Sequence, residues 1–283
     1  MPRTVALPRH LRRSGFFTES KGRVIMINIL FCGINGRMGK VTYDLTVSGE
    51  ENSSRYKIIA GVDITGSLWN YPFPVYKTIE ECADKPDVII DFSHHSALPS
   101  ILGYALNNFV PAVICTTGHS EDELALMKEA SERIPVFFSR NMSLGINLLM
   151  KLTKEAAAML GEDFDIEIVE AHHHNKLDAP SGTALMLADS AKSGRGGDME
   201  YTYDRHSVRK KREKSEIGIH SIRGGNIVGE HSVIFAGDNE VITLSHSAAD
   251  RGVFASGALK AASFIVGKPA GLYNMDNVIS EII

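Results

Sequence analysis

The densest chemistry in the chain lies in one stretch, from Glu170 through His172, His173, His174, Lys176 and Asp178 to Ser181, Gly182, Thr183 and Ala184. It follows Asp165–Glu170, whose polar–apolar alternation reads as a strand. Three adjacent histidines suggest a metal centre. Successive strand side chains point to opposite faces, however, so three in a row do not converge on one ion, and no Cys or carboxylate cluster completes a ligand set. The sequence therefore predicts no metal, and a catalytic or substrate-binding role is favoured. The blander reading, a polar loop of satisfied histidines, weakens because Lys176 and a helix start lie within a few residues. Ser181-Gly182-Thr183 opens that helix after Pro180, offering backbone N–H groups, hydroxyls and a positive dipole end to an anion. His173 and Lys176 add donors or positive charge. The whole reads as a pocket for a carboxylate-bearing substrate beside an imidazole able to pass protons near neutral pH.

A second constellation lies near the start. Gly33-Ile34-Asn35-Gly36-Arg37-Met38-Gly39 follows a strand and opens a helix. Glycines there permit positive φ and close backbone approach, and the helix start suits a pyrophosphate. The spacing is Gly-x-x-Gly-x-x-Gly, not the commoner Gly-x-Gly-x-x-Gly, and alone it fits a tight packing turn equally well. Asp63, at the end of the next strand, strengthens the dinucleotide reading, because a carboxylate there can accept both adenosine ribose hydroxyls. The competing reading is that Asp63 caps a helix. Ile64 follows it where an Arg would greet a 2′-phosphate, and Arg37 is the nearest cation. NADH is thus expected to serve at least as well as NADPH. Thr116-Thr117-Gly118 and Ser139-Arg140-Asn141-Met142 end two further strands, where such sheets bind ligands, and are expected to meet the nicotinamide half.

These residues need a scaffold, and the pattern supplies one. Apolar runs at Val24–Phe31, Lys57–Val62, Asp87–Phe92, Pro111–Cys115 and Val136–Ser139 look like buried strands. Helical segments, Arg37–Val47, Ser96–Phe109 and a Ser120-x-x-Glu123 capping box running to Arg133, lie between them. Residues 64–78 read as loop. Such alternation implies an α/β fold with a Rossmann-type, doubly wound parallel sheet. After a long helix, Leu144–Leu160, the style changes. Asp165–Glu170, Glu216–Ile222, Ile227–Ala236 and Val241–Ala248 alternate, with turns at Gly224-Gly225-Asn226 and Gly237-Asp238-Asn239. A second α+β domain is expected, with an open mixed sheet, antiparallel where hairpins join it and with one wet or partner-covered face. Phe254–Ile265 returns to helix and is expected to dock on the first domain. The implied division is a dinucleotide-binding domain over 24–142, a substrate-binding and oligomerisation domain over 143–250, and a C-terminal return over 251–283.

Composition excludes several classes. The chain has 283 residues, formal net charge −4, 43% hydrophobic and 23% charged residues, ordinary values for a folded protein and unlike a general nucleic-acid binder. Apolar runs are interrupted well before a membrane-spanning length. Cys32, Cys82 and Cys115 are odd in number and lack metal-ligand spacing, which suits a reducing cytoplasm. Six basic residues between Arg205 and Lys214 read as a solvated loop, since no aromatic residues are interleaved to stack on bases. Residues 1–23 carry six Arg and Lys against Glu19 alone, without the apolar core of a secretory signal. An organelle transit peptide and a mis-assigned start, with Met26 as the true one, are the two readings, and the second is preferred.

Gly33-x-x-Gly36-Arg37-Met38-Gly39, the Glu170–Ala184 stretch, Arg223-x-Gly225-x-x-x-Gly229-Glu230-His231 and the segment from Arg251 to Gly257 together resemble the 4-hydroxy-tetrahydrodipicolinate reductase (dihydrodipicolinate reductase) family. The likeness runs from about Val24 to the C-terminus; the Glu170–Ala184 signature is specific, the glycine motif widely shared. The resemblance implies a cyclic dicarboxylate substrate that loses water and takes a hydride from NADH or NADPH at a ring carbon, in diaminopimelate and lysine biosynthesis. It also implies His172 as proton donor and acceptor, Lys176 as second proton donor, and His173, Ser181, Gly182 and Thr183 on the substrate. Cofactor contacts would come from the glycine motif (Gly33, Ile34, Asn35, Gly36, Arg37, Met38), Asp63, Cys115, Thr116, Thr117, Ser139, Arg140, Asn141, Met142, Arg251 and Phe254. Cys115 replaces a usual Gly, and Arg140 stands where small residues are common. A cytoplasmic homotetramer formed through the second sheet follows from the same resemblance, as does closure about hinges near 142–145 and 250–253. Two other classes stay open: an amino-acid dehydrogenase of the same two-domain build, and a non-catalytic dinucleotide sensor that has no need of His172 or Lys176.

Overall fold

The computed structural model describes residues 26–282. Val24 and the whole 1–23 segment, with the readings placed on them, lie outside the described residues. The first strand, β1 (Ile27–Cys32), leads through the glycine turn into α1 (Arg37–Val47), a short α2 (Glu50–Arg55) and β2 (Tyr56–Val62). Then follow β3 (Val75–Tyr76), β4 (Val88–Asp91), α3 (Leu98–Asn108), β5 (Ala112–Ile114), α4 (Glu121–Ser131) and β6 (Pro135–Phe138). The remainder is α5 (Leu144–Leu160), β7 (Asp165–His172), α6 (Gly182–Arg195), β8 (Glu200–Thr202), β9 (Glu216–Arg223), β10 (Gly229–Ala236), β11 (Val241–Ala248), α7 (Gly252–Ile265), β12 (Gly271–Tyr273) and α8 (Met275–Ile282).

Among the described residues the strands form two sheets. The first has the order β12-β6-β5-β4-β1-β2-β3, parallel at every pairing. It is the doubly wound sheet that the buried apolar runs imply. Phe31, Ile90, Val113 and Phe137 face one way, onto Ala258, Leu259 and Ile265 of α7 and Val278 of α8. Leu30, Ile89, Ile114 and Val136 face the other, onto α3 and α4 through Leu98, Ile101, Leu102, Met127 and Ala130. Helices on both faces explain why these strands carry apolar residues on both sides. Helix α7, after the second sheet, packs on this core, and β12 then extends the parallel sheet beside β6. Ser120 and Glu123 form the reciprocal capping box at α4.

The second sheet is mixed, in the order β11-β10-β7-β9-β8. Its alternating strands point Ile166, Ile168, Ile217, Ile219, Val233 and Phe235 to one side, onto Ile146 and Leu149 of α5 and Leu187, Ala188 and Ala191 of α6. The turn at Gly237-Asp238-Asn239 joins the antiparallel pair β10–β11 as a hairpin. The one at Gly224-Gly225-Asn226 does not. Strand β7 lies between β9 and β10, parallel to one and antiparallel to the other, so this connection steps over the end of β7. It is pinned there by Gly224 N–H donating to the His172 carbonyl and His174 N–H to the Gly225 carbonyl. The basic stretch is an exposed loop, as read, but three of its cations are tied to the sheet. Arg212 donates to Asp165, Glu167 and the Glu216 carbonyl, while Arg205 and Lys210 pair with the buried Glu216. It is a strap neutralising acidic residues on the sheet, which a one-dimensional scan of charge does not reveal.

Candidate active site

The glycine turn leaves β1 at the middle of the parallel sheet. Gly33 has φ +81°, and a Cβ there would lie 2.7 Å from the Phe92 carbonyl oxygen; at Gly39 it would lie 2.3 Å from the Ile34 carbonyl oxygen. Both positions therefore exclude a side chain. Gly36 caps α1 with no side chain bonded to the first-turn amides, whose N–H groups have no intrahelical acceptor. Asp63 is half-buried beside the turn. Its carboxylate accepts from the Asn35 N–H at 3.1 Å, and from Thr65 N–H and hydroxyl, and no helix follows it to be capped. A cavity of about 770 Å³ opens over Gly33, Asn35, Gly36 and Asp63. A backbone cradle that a Cβ would fill, a helix start and a strand-end carboxylate bordering one cavity fit a dinucleotide.

Sequence reasoning missed part of this wall. Leu68, Lys77, Ser93, His94 and Ile101 also line the cavity. Residues 64–78, read as loop, hold the short β3 but have no period to announce Leu68 and Lys77. Ser93, however, ends a parallel strand just as Thr116 does, and that rule would have found it. Asp91 is fully buried beneath, accepting from Ser93 N–H and from the Thr116 hydroxyl at 2.7 Å, so the ends of β4 and β5 are tied together. Burial pushes the Asp91 carboxyl up, against these hydrogen bonds.

The other expected cofactor residues fall in two groups. Thr117, Arg37 and Arg140 are exposed, and Met38 is partly so. The side chains of Ile34, Cys115 and Met142 are packed in the first core, so these residues can offer a ligand only backbone. Burial raises the Cys115 thiol well above its ordinary value, leaving it a small apolar side chain. The Ser139 hydroxyl donates to the Asn141 carbonyl. Arg251 and Phe254 begin α7, Phe254 packing on the first core.

Strand β7 delivers the second constellation. Glu170 is fully buried, and His172, two residues on and on the same face, donates Nδ1–H to Glu170 Oε2 at 2.6 Å. Arg223, beside them on β9, forks onto both carboxylate oxygens at 2.8 Å. Ser181 N–H donates to Glu170 Oε1 at 3.1 Å, and the Ser181 hydroxyl caps α6 by accepting from Ala184 N–H. Burial pushes the Glu170 carboxyl up, but the hydrogen bonds from Arg223 and His172 outweigh it and hold the pKa down to about 2. His231 of β10 lies edge-on to His172, ring centroids 5.1 Å apart, its Nε2 3.2 Å from the Ser181 hydroxyl. Burial, reinforced by His172, pushes its pKa down to about 4.

The three adjacent histidines part company: His172 is buried, His173 half-buried and His174 exposed. Among the described residues, no group of three or more His, Cys, Asp and Glu side chains could hold a metal ion. His173 has a buried Nδ1 without a partner. Lys176 turns back toward this loop and pairs with Asp178 at 2.9 Å. Asn141, at the end of the chain segment leaving β6, donates to the Thr183 hydroxyl at 3.0 Å. The chain segment leaving β6 and the start of α6 therefore touch.

A pyridine-nucleotide cradle facing a second, imidazole-bearing layer defines a nicotinamide-dependent oxidoreductase. Family models agree in detail. Residues 27–142 match "Dihydrodipicolinate reductase, N-terminus" and residues 145–279 match "Dihydrodipicolinate reductase, C-terminus". The chain belongs to the 4-hydroxy-tetrahydrodipicolinate reductase (dihydrodipicolinate reductase) family. It is 51% identical to the reductase of Caldanaerobacter subterraneus over 257 residues, 91% of this chain and 100% of that one. It is 47% identical to that of Clostridium tetani, covering 91% and 98%. Among solved structures it resembles dipicolinate-bound dihydrodipicolinate reductase from Paenisporosarcina sp. TG-14, TM-score 0.72, 26% identical, covering 89% of this chain and 99% of that one. DAP dehydrogenase of C. glutamicum, 12% identical at TM-score 0.52 and covering 91% of this chain and 99% of that one, shares the fold alone.

Proposed function

We propose that the protein reduces 4-hydroxy-tetrahydrodipicolinate to tetrahydrodipicolinate, with loss of water, at the expense of NADH or NADPH, in diaminopimelate and lysine biosynthesis. The observation that carries this reading is the His172 imidazole, held by a buried carboxylate beside the Ser181–Thr183 helix start, in a chain of this family. Gly33, Gly36, Asp63 and the strand-end backbones of Thr116, Thr117 and Asn141 hold the nucleotide, which supplies the hydride when bound. Ser181, Gly182 and Thr183, with His173, bind the substrate carboxylates, and the α6 dipole favours their charge. His172 passes a proton through Nε2, and Lys176 releases Asp178 to serve as second proton donor. Asp63 retains lone pairs for ribose hydroxyls, which supports NADH as at least the equal of NADPH. The three unpaired cysteines suit a reducing cytoplasm.

The test couples the purified protein and NADH to substrate made in place from pyruvate and aspartate semialdehyde by the preceding synthase. Loss of reduced-nicotinamide absorbance that needs every component is the expected result. No loss, with the synthase active and NADH bound, would sink the reading. NADPH in parallel measures the preference.

A further inference from the structure

We propose that Glu170 is the positioning residue of the site: it fixes the tautomer of His172 and ties the proton-transfer group to the substrate-anion helix. The inference rests on the reductase reading for the role of His172, and on geometry for the rest.

Every group that bonds the Glu170 carboxylate donates to it: His172 Nδ1, Ser181 N–H and the two terminal nitrogens of Arg223, with the Ser221 hydroxyl beside them. An ionised carboxylate is the one side chain that suits this shell, since it is acceptor-only with room for four bonds. An amide would set its own NH₂ against at least one of these donors. With the proton on Nδ1 held by Glu170, the second nitrogen of His172 is the one left to exchange a proton with a ligand. Gly229 keeps that nitrogen open, because a Cβ there would lie 3.2 Å from His172 Nε2. The same carboxylate holds the Ser181 amide, the cap of α6, so ring orientation and anion site share one anchor.

Arg223 completes the device. A lone buried carboxylate would repel a dicarboxylate and carry an uncompensated desolvation cost. The forked Arg223 cancels its charge, and one of its nitrogens also donates to the Asp178 carbonyl at 2.6 Å, bracing the Lys176–Asp178 loop. The other charged or titratable groups around His172 are His231 of β10, Lys176 and Asp178 of the loop, and, beyond His231, His246 of β11. None of these takes the place of Glu170 at Nδ1.

The experiment uses the full chain and four variants: Glu170→Gln, Glu170→Asp, His172→Gln and the Glu170→Gln/His172→Gln double variant. Each is checked for thermal stability and NADH affinity, then for kcat and KM across pH. Glu170→Gln is expected to lower kcat about 10²-fold or more with NADH affinity kept. In the His172→Gln background the same change should cost far less, because the group it positions is gone. Equal losses in both backgrounds would overturn the proposal. Nitrogen NMR of labelled histidine, with His172 assigned by its loss in His172→Gln, gives a readout that needs no turnover. The neutral ring should carry its proton on Nδ1 in the parent and lose that preference in Glu170→Gln; an unchanged tautomer overturns the proposal. If wild type does not turn over this substrate, the reductase reading falls, while the tautomer comparison still decides the role of Glu170. If Glu170→Gln does not fold, Glu170→Asp, which keeps charge but withdraws it by one methylene, is compared in the same way, and an unaltered kcat and tautomer overturn the proposal.

Discussion

At the scale of residues, His172 carries the sharpest expectation. General acid–base groups contribute about 10²–10⁴-fold, so His172→Gln should cut turnover by that order while NADH affinity stays constant. Unchanged turnover would remove the imidazole from the mechanism. Acid stability has a computable sign at the same cluster. His231 has a folded pKa of about 4 against 6.5 when unfolded, so its contribution is full above pH 6.5 and is lost as pH falls towards 4. The loss is on the order of 3 kcal/mol. Glu170, held at about 2 against 4.5, adds a second loss between those values on further acidification. Thermal unfolding measured from neutral pH down to pH ~4.5 should fall steeply, and His231→Gln should flatten that slope. A parallel decline in both proteins would show that other groups govern it. The histidines, Lys176 and the Ser-Gly-Thr helix start were readable because they are contiguous. Glu170 was named in the same stretch, yet its partnership with Arg223 was hidden, since that residue sits 53 positions further on.

Elements were legible where they are long and periodic. The strands of the parallel sheet, the capping box at α4 and the long α5 follow from apolar runs and cap chemistry. The two-residue β3 and the three-residue β8 and β12 are too short to carry a period, and α2 offers no apolar face. The order of β7, β9 and β10 was not readable either, because a glycine turn between two alternating segments looks like a hairpin whether or not a third strand lies between them. Partner exchange in a sheet depends on contacts far apart in sequence. The glycine turn itself leads to a prediction. A Cβ at Gly39 would meet backbone oxygens of Ile34 and Gly33 at 2.3 and 2.5 Å, atoms unable to rotate away. Gly39→Ala must push α1 off β1, at a cost on the order of 1–3 kcal/mol. It should weaken NADH binding at least tenfold, measured by fluorescence titration. Gly103, in α3 with open space around it, is the control position. Equal NADH affinity in Gly39→Ala and Gly103→Ala would refute the close-packed cradle.

At the scale of the whole molecule, the second sheet keeps α5 and α6 on one face and leaves the other partly open. That outer face carries Val169, Ser232, Ile234 and Ser245, half-buried or exposed, with Ile222 half exposed. Apolar and small hydroxyl residues on one flat face suit association with identical faces, and a homotetramer built through it is the expected assembly. Sedimentation should report four chains, and Ile222→Glu with Ile234→Glu should shift the mass downward. A monomeric wild type would refute the assembly.

Closure is the motion this architecture implies. The glycine turn belongs to one sheet and the His172 cluster to the other, and hydride transfer between ligands held at the two would need them in contact with water excluded. The chain passes between the two sheets near residues 142–145 and 250–253. The first crossing is already braced: Asn147 donates to the carbonyls of Asn141 and Ser143, and Ser143 caps α5. Asn141 in turn reaches Thr183 across the cleft. A substrate carboxylate competing for the Thr183 hydroxyl would exchange that bond for its own, and so couple substrate arrival to the position of the nicotinamide-side strand end. Small-angle scattering of the enzyme alone, with NADH, and with NADH plus dipicolinate should therefore show contraction chiefly in the ternary state. Asn141→Ala should contract less or with weaker dependence on dipicolinate. Superimposable profiles in all three states would mean that the two layers are already set for catalysis and that the crossing is a strut, not a hinge.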